Sequence, residues 1–177
     1  IETREGSQYR LRDGVASIRN SGPNHYVHLD AFLDGNRAEI SLSLELLGSR
    51  LEDMVGQLHV DIPVDDYSSF VQGINLGPVQ VQQLAGGVEM WIDIEDGRPG
   101  SVTAQPQISR LGFQGRDQDG NPSLTAIQQL TGSLRAERDE QTSRLQLLAS
   151  DLSVSWAGIN WLRFDAFADY QPGESLE

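Results

Sequence analysis

The side chains best equipped for chemistry in this 177-residue chain are three histidines, 26 carboxylates and three tryptophans. His25 and His28 are three positions apart, which in a strand puts them on opposite faces. Together with His59 they form no His-x-His or HExxH pattern that would hold zinc. They read as surface or turn histidines. Asp117-Gln118-Asp119-Gly120-Asn121 has the texture of a calcium loop. In the register that loop requires, the first ligand position falls on Gly115 and the last, normally a bidentate Glu, on Ala126. Both end ligands are missing, so the segment reads as a hairpin turn. Acidic pairs such as Asp65-Asp66, or Asp93 with Glu95, have the groups for acid–base work. Such pairs are expected on solvated faces when 26 residues are acidic. There is no G-x-S-x-G, no Walker A and no G-x-G-x-x-G after a strand. Gly86-Gly87 is expected to precede a strand starting near Val88, where no helix N-terminus meets phosphate. With no cysteine, thiol catalysis, disulfides and thiolate metal sites are excluded together. The expectation is a protein that is not an enzyme and needs neither cofactor nor metal.

Charge narrows the partners. The formal net charge is −13, and all thirteen basic residues are Arg. Such a surface is repelled by phosphate backbones, which argues against nucleic acid. It equally disfavours electrostatic docking on anionic headgroups, where clusters of Lys or Arg are needed. No run approaches the ~20 apolar residues of a membrane-spanning helix, so no transmembrane helix is expected in this stretch. Apolar residues make up 38% of the chain, a globular composition. The polar opening Ile1-Glu2-Thr3-Arg4-Glu5 has no signal-peptide pattern, and the chain reads as an excised part of something longer.

The elements that must position these residues announce themselves by period-two alternation. From Ala38 to Leu46 every even position is apolar and every odd one polar. That is a strand with one dry face and one wet face. Leu58, Val60 and Ile62 repeat the pattern, as do Val88, Met90, Ile92 and Ile94, with Trp91 on the second face. Leu145, Leu147, Leu152, Val154 and Trp156 follow later. Asp-Gly, a favoured type I′ hairpin turn, occurs at 13–14, 34–35, 96–97 and 119–120. The fold class is therefore mainly β: an antiparallel, strongly curved or twisted sheet, either an open groove or sandwich-like. The Asp-Gly spacing of about eighty residues suggests one β-rich segment over 1–177 with an internal duplication, 1–75 and 76–170.

One short amphipathic helix is expected. Tyr67, Phe70, Val71 and Ile74 share a helical face after Pro63, with Asp65 and Asp66 in the first turn. Trp91, Trp156 and Trp161 lie in strand-like segments and read as packing rather than as stacking platforms for sugars, since the sequence shows no cluster of them.

Leu130-Thr131-Gly132-Ser133-Leu134-Arg135-Ala136 leads through a polar turn into Arg144-Leu145-Gln146-Leu147-Leu148-Ala149-Ser150-Asp151-Leu152-Ser153-Val154. This resembles the strand grammar of the AsmA-like proteins, and within them the long YhdP family; Val88 to Gly97 resembles the same strand-then-turn unit. The resemblance covers roughly 55–170. It implies a large periplasmic protein, tethered to the inner membrane by a helix outside this chain, that moves phospholipid toward the outer membrane. It also implies a curved β-trough with acyl chains on its apolar face and the remainder of the same long chain as partner. The family carries no catalytic residues.

The physics reaches part of the way independently. A sheet with one apolar face must cover it. One short helix cannot, so the cover is a second sheet or something outside the chain, such as lipid tails. On the second view Ile40, Leu42, Leu44, Met90 and Ile92 contact lipid. On the first, the chain is a closed β-sandwich, a spacer or a protein- or glycan-binding module of an envelope protein.

Overall fold

The computed structural model describes residues 11–33, 39–76, 79–116, 120–138 and 144–170. Alternating sequence and two-residue turns produce an antiparallel meander. Its strands are β1 (Leu11–Ser21), β2 (Asn24–Leu33), β3 (Glu39–Leu47), β4 (Val55–Asp66), β5 (Asn75–Leu76), β6 (Val79–Glu95), β7 (Arg98–Arg116), β8 (Pro122–Arg138), β9 (Leu145–Trp156) and β10 (Ile159–Tyr170). All belong to one sheet, ordered β1-β2-β3-β4-β6-β7-β8-β9-β10, with β5 pairing only the start of β6. The ends of that path, β1 and β10, do not pair, so the sheet is not closed into a barrel. Among the described residues there is no second sheet to complete a sandwich.

Turn chemistry accounts for the hairpins. Glu95 pairs with Arg98 across Asp96-Gly97, whose φ angles of +49° and +68° are those a type I′ turn demands. Ala157-Gly158 closes β9–β10 the same way, at +52° and +78°. Asp13-Gly14 does something else: it lies inside β1, where the register with β2 slips between Arg12 and Val15. Asp13 has φ +50°, and the pair is a β-bulge rather than a turn. Asp34-Gly35 and Asp117 to Asp119 lie outside the described residues. The eighty-residue spacing thus relates a bulge to a hairpin turn, two different roles.

The connector between β4 and β6 is shorter in helix than its periodicity suggests. Only Ser68–Val71 is helical (α1), preceded by a 3-10 turn at Leu51–Asp53 elsewhere in the chain. Asp65 and Asp66 end β4 instead of opening the helix, paired with Gly86 and Ala85. The sheet ladder claims those two residues before a helix can nucleate, because one turn fixes many dihedrals for few hydrogen bonds. Gly86-Gly87 likewise sits in the middle of β6, not ahead of it. A Cβ on Gly87 would stand 2.5 Å from the Ile62 carbonyl oxygen, so glycine lets β4 close onto β6 at the Pro63–Val64 bulge.

Among the described residues the buried hydrophobic ones are few: Ala31, Tyr67 and Val81. Two of them mark where the connector folds onto β6. Tyr67 donates its amide to Leu84 O at 2.8 Å and its hydroxyl to Pro63 O at 2.7 Å. Gly73 N–H bonds Val81 O at 3.0 Å, closing the segment down. Beyond that corner, the described residues form a single layer.

Candidate functional site

Cross-strand register converts the alternation into two continuous rows on one face. The first runs Ala16, Leu29, Leu42, Val60, Met90, Ala104, Leu134, Ala149, Ala166, one residue from each strand of the meander. The second lies two residues along each strand: Ile18, Val27, Leu44, Leu58, Ile92, Val102, Ala136, Leu147, Ala168. Every position in both rows is apolar. A one-residue slip in any pairing would break them, because the side-chain period is two.

The structure brings all five expected contact residues onto this face. Leu42 and Met90 belong to the first row with Val60 between them, and Leu44 and Ile92 to the second with Leu58 between them. Ile40 lies two residues further along β3, opposite Ala31. All five are half-buried rather than sealed. The face is concave over β7–β10, where a hollow of about 350 Å³ is lined by Val102, Leu134, Leu147 and the alanines between them. Alternation on β3, β4 and β6 pointed to the first half of the face; this second half was missed. Its signal was the spacing of Leu134 and Ala136, and of Leu147 and Ala149, inside the segments that carry the family resemblance.

The opposite face is mainly polar and internally paired over β2–β6, with Trp91 among its side chains, and carries the exposed apolar Leu148 and Phe167 on β9 and β10. His28 bonds Asp30 Oδ2 through Nε2 at 2.7 Å and Ser43 Oγ through Nδ1 at 2.9 Å. That is the order of a serine, a base and an orienting carboxylate. Ser43 is mid-strand, however, paired with His28 on one side and His59 on the other. The strand amides are committed to the ladders, which leaves no free donors there to hold an oxyanion. His59 meets Glu89 Oε1 at 3.0 Å and stacks on Trp91 with ring centroids 5.2 Å apart. His25 falls on the other face from His28, as their spacing requires, opposite Leu46.

Three shifted groups mark where the sheet's polar contacts tighten. The Ser101 hydroxyl, and then the Gln57 amide, hold the Asp93 carboxylate below the ordinary aspartate range. Hydrogen bonds from Ser68, side chain first and backbone second, do the same for Asp66. Burial pushes the Tyr67 phenol up, with Asp65 and Asp61 adding to it. Each reflects structural hydrogen bonding or packing rather than a shared reaction centre. Among the described residues no three His, Asp or Glu side chains converge as metal ligands.

The tryptophans are less scattered than their sequence positions suggest. Trp156 and Trp161 flank the β9–β10 turn with centroids 6.3 Å apart, and both are substantially exposed. The hairpin brings them together on the apolar face: Trp161 pairs with Val154, and Trp156 lies two residues beyond it.

Among the described residues no helix is long and apolar enough to cross a membrane. No protein-family model, curated protein or solved structure matches the chain, so the geometry carries the functional reading.

Proposed function

We propose that this chain is a non-enzymatic stretch of an envelope protein that holds phospholipid acyl chains against the apolar face of an open β-trough. The observation that supports it is the pair of unbroken apolar rows crossing the nine strands of the sheet's main path, with no second layer among the described residues. Monomeric soluble proteins rarely expose contiguous apolar patches beyond a few hundred Å², and larger ones mark interaction surfaces. A face nine strands wide spans roughly 40 Å at ~4.8 Å per strand, the scale of lipid tails laid end to end. The AsmA-like resemblance supports the same reading and supplies its setting: the periplasm, a tether in the inner membrane, and delivery toward the outer membrane.

Native mass spectrometry of the chain purified from cells tests it directly. The expected result is a series of added masses that fragment as phospholipids. A chain recovered without lipid, and still empty after incubation with phospholipid vesicles, would overturn the reading. The Trp156–Trp161 pair favours a second one, a glycan-binding module. Quenching of tryptophan fluorescence by oligosaccharides, abolished by Trp161→Ala, would support that module instead.

A further inference from the structure

The last strand of the path, β10, has the side chains of an interior strand. All 12 of its residues are exposed, yet large apolar groups leave it on both faces. Trp161, Phe164 and Tyr170 lie toward the apolar face of the sheet, and Phe167 projects from the other beside Leu148. Strands with two dry faces are those covered on both sides. At the other end of the path, β1 exposes only Val15 and Ile18 as large apolar residues. The outer edge of β10 is a row of backbone donors and acceptors able to take a further strand.

Register and charge select the strand that fits. The bulge at Leu162–Arg163 leaves Phe164–Tyr170 as the regular part of β10; the second slip, near Phe164, adds its residue to β9. Within that part even-numbered residues face the apolar side and odd-numbered ones the other. A second copy turned about a two-fold axis perpendicular to the sheet runs antiparallel to β10 and keeps like faces together. Directly opposed residues share a face, so one residue must stand opposite itself. With Phe167 there, Asp165 meets Asp169 of the second copy; with Asp165 there, that carboxylate meets itself. Like charges directly opposed are destabilising. With Ala166 at the centre, Arg163 meets Asp169, Phe164 meets Ala168 and Asp165 meets Phe167, each pair twice by symmetry. The charged groups along β9 and β10 are Arg144, Asp151, Arg163, Asp165 and Asp169, with Arg144 already 3.2 Å from Asp169. Two arginines against three aspartates leave −1 here, against −13 for the chain, so two copies meet where repulsion is least.

We infer that two copies of this chain join edge to edge through β10, antiparallel about Ala166, with Arg163 of each against Asp169 of the other. Such a junction carries the apolar face of one copy into the next, since Ala166 meets Ala166 and Phe164 meets Ala168. The inference stands on the edge of β10 and not on the lipid reading above.

Sedimentation equilibrium of the full 177-residue chain, at physiological salt and over a wide range of concentration, should show the 19.5 kDa monomer giving way to a dimer. Arg163→Asp and Asp169→Arg should each weaken the dimer roughly tenfold, because symmetry counts each lost pair twice. The double variant exchanges the two charges and should recover it. Asp169→Arg also gives up Arg144, so this recovery, which a merely structural loss could not produce, is the readout. Aspartate suits position 163, where φ is +50°. A cysteine then reads the register, in a chain that has none of its own. Directly opposed Cα atoms lie ~4.5–5.5 Å apart, within reach of a disulfide. Under mild oxidation Ala166→Cys should give a covalent dimer, whereas Ala168→Cys, which faces Phe164, should not. A chain that stays monomeric throughout would overturn the inference. So would a dimer that Ala166→Cys fails to cross-link, or one that the double charge variant fails to recover. Growth beyond the dimer would mean an open-ended contact between β10 and β1, and would overturn it too. None of these outcomes touches the lipid reading, which is decided by the mass of bound lipid.

Discussion

At the scale of single residues, the contact of Asp93 with Ser101 carries a pH signature of its own. Ser101 is only 7% exposed, and its hydroxyl donates to Asp93 Oδ2 while Gln57 donates to Oδ1 at 2.9 Å. Both bonds favour the ionised carboxylate, so its folded pKa lies below the usual 3.8. A depressed pKa contributes stability that is fully present above the unfolded value and is lost as pH falls through the folded one. Ser101→Ala removes the larger of the two causes. The melting-temperature gap between wild type and variant should be full-sized well above the usual 3.8 and should close as pH falls through the lowered folded value. Thermal melts across that range are the check. A gap that persisted at the acid end would mean the serine acts by packing alone.

At the scale of elements, the corner where β4, α1 and β6 meet is the most tightly built part of the sheet. Tyr67 is 5% exposed and supplies both a ring against Phe70 and a hydroxyl bond to Pro63 O. Tyr67→Phe keeps the ring and should cost about 1 kcal/mol, the worth of one hydrogen bond. Tyr67→Ala also leaves a cavity and should cost about 3–5 kcal/mol. Chemical denaturation of the three proteins measures both steps. Equal costs would show that the hydroxyl, not the ring, holds the corner.

This corner also shows how much of the fold could be read from sequence. β3, β4 and β6 were visible because each has one dry and one wet face, so alternation survives to the residue level. The helical spacing of Tyr67, Phe70, Val71 and Ile74 overstates the helix, because pairing of Asp65 and Asp66 with β6 leaves it only four residues. β7 was hidden by Pro99 and Pro106, residues that ordinarily argue against an interior strand. The β7–β8 pairing skips Gln105 and Pro106 opposite Gly132–Ser133, so the proline's missing donor falls in a gap that no local pattern betrays. The hollow was hidden for a related reason. Alternation shows that Ala136, Ala149, Ala166 and Ala168 share a dry face with the leucines, but only register shows that they line up across strands.

At the scale of the whole molecule, the question is whether the apolar face is a core or a surface. A sealed core would make Leu42 and Ile92 intolerant of charge, because an unpaired buried carboxylate costs several kcal/mol against a total stability of roughly 5–15 kcal/mol. The structure places them in different rows on β3 and β6, half-buried, with no layer above them among the described residues. A glutamate at either site should reach water. Leu42→Glu and Ile92→Glu should therefore each leave the isolated chain cooperatively folded, at a cost of roughly 1 kcal/mol, within the range of half-exposed substitutions. Lipid occupancy should fall in the same proteins, since an acyl chain passing a carboxylate must strip its water. The two readouts separate the possibilities. Loss of folding in both variants would mean that something covers this face, as in a sandwich or a tight self-association. Intact folding with undiminished lipid occupancy would mean that Ile40, Leu42, Leu44, Met90 and Ile92 lie outside the lipid path. Intact folding with reduced occupancy is the result an open trough requires. It would also explain why a chain with so few buried residues keeps such long, uninterrupted rows of apolar ones: their burial is completed by the cargo.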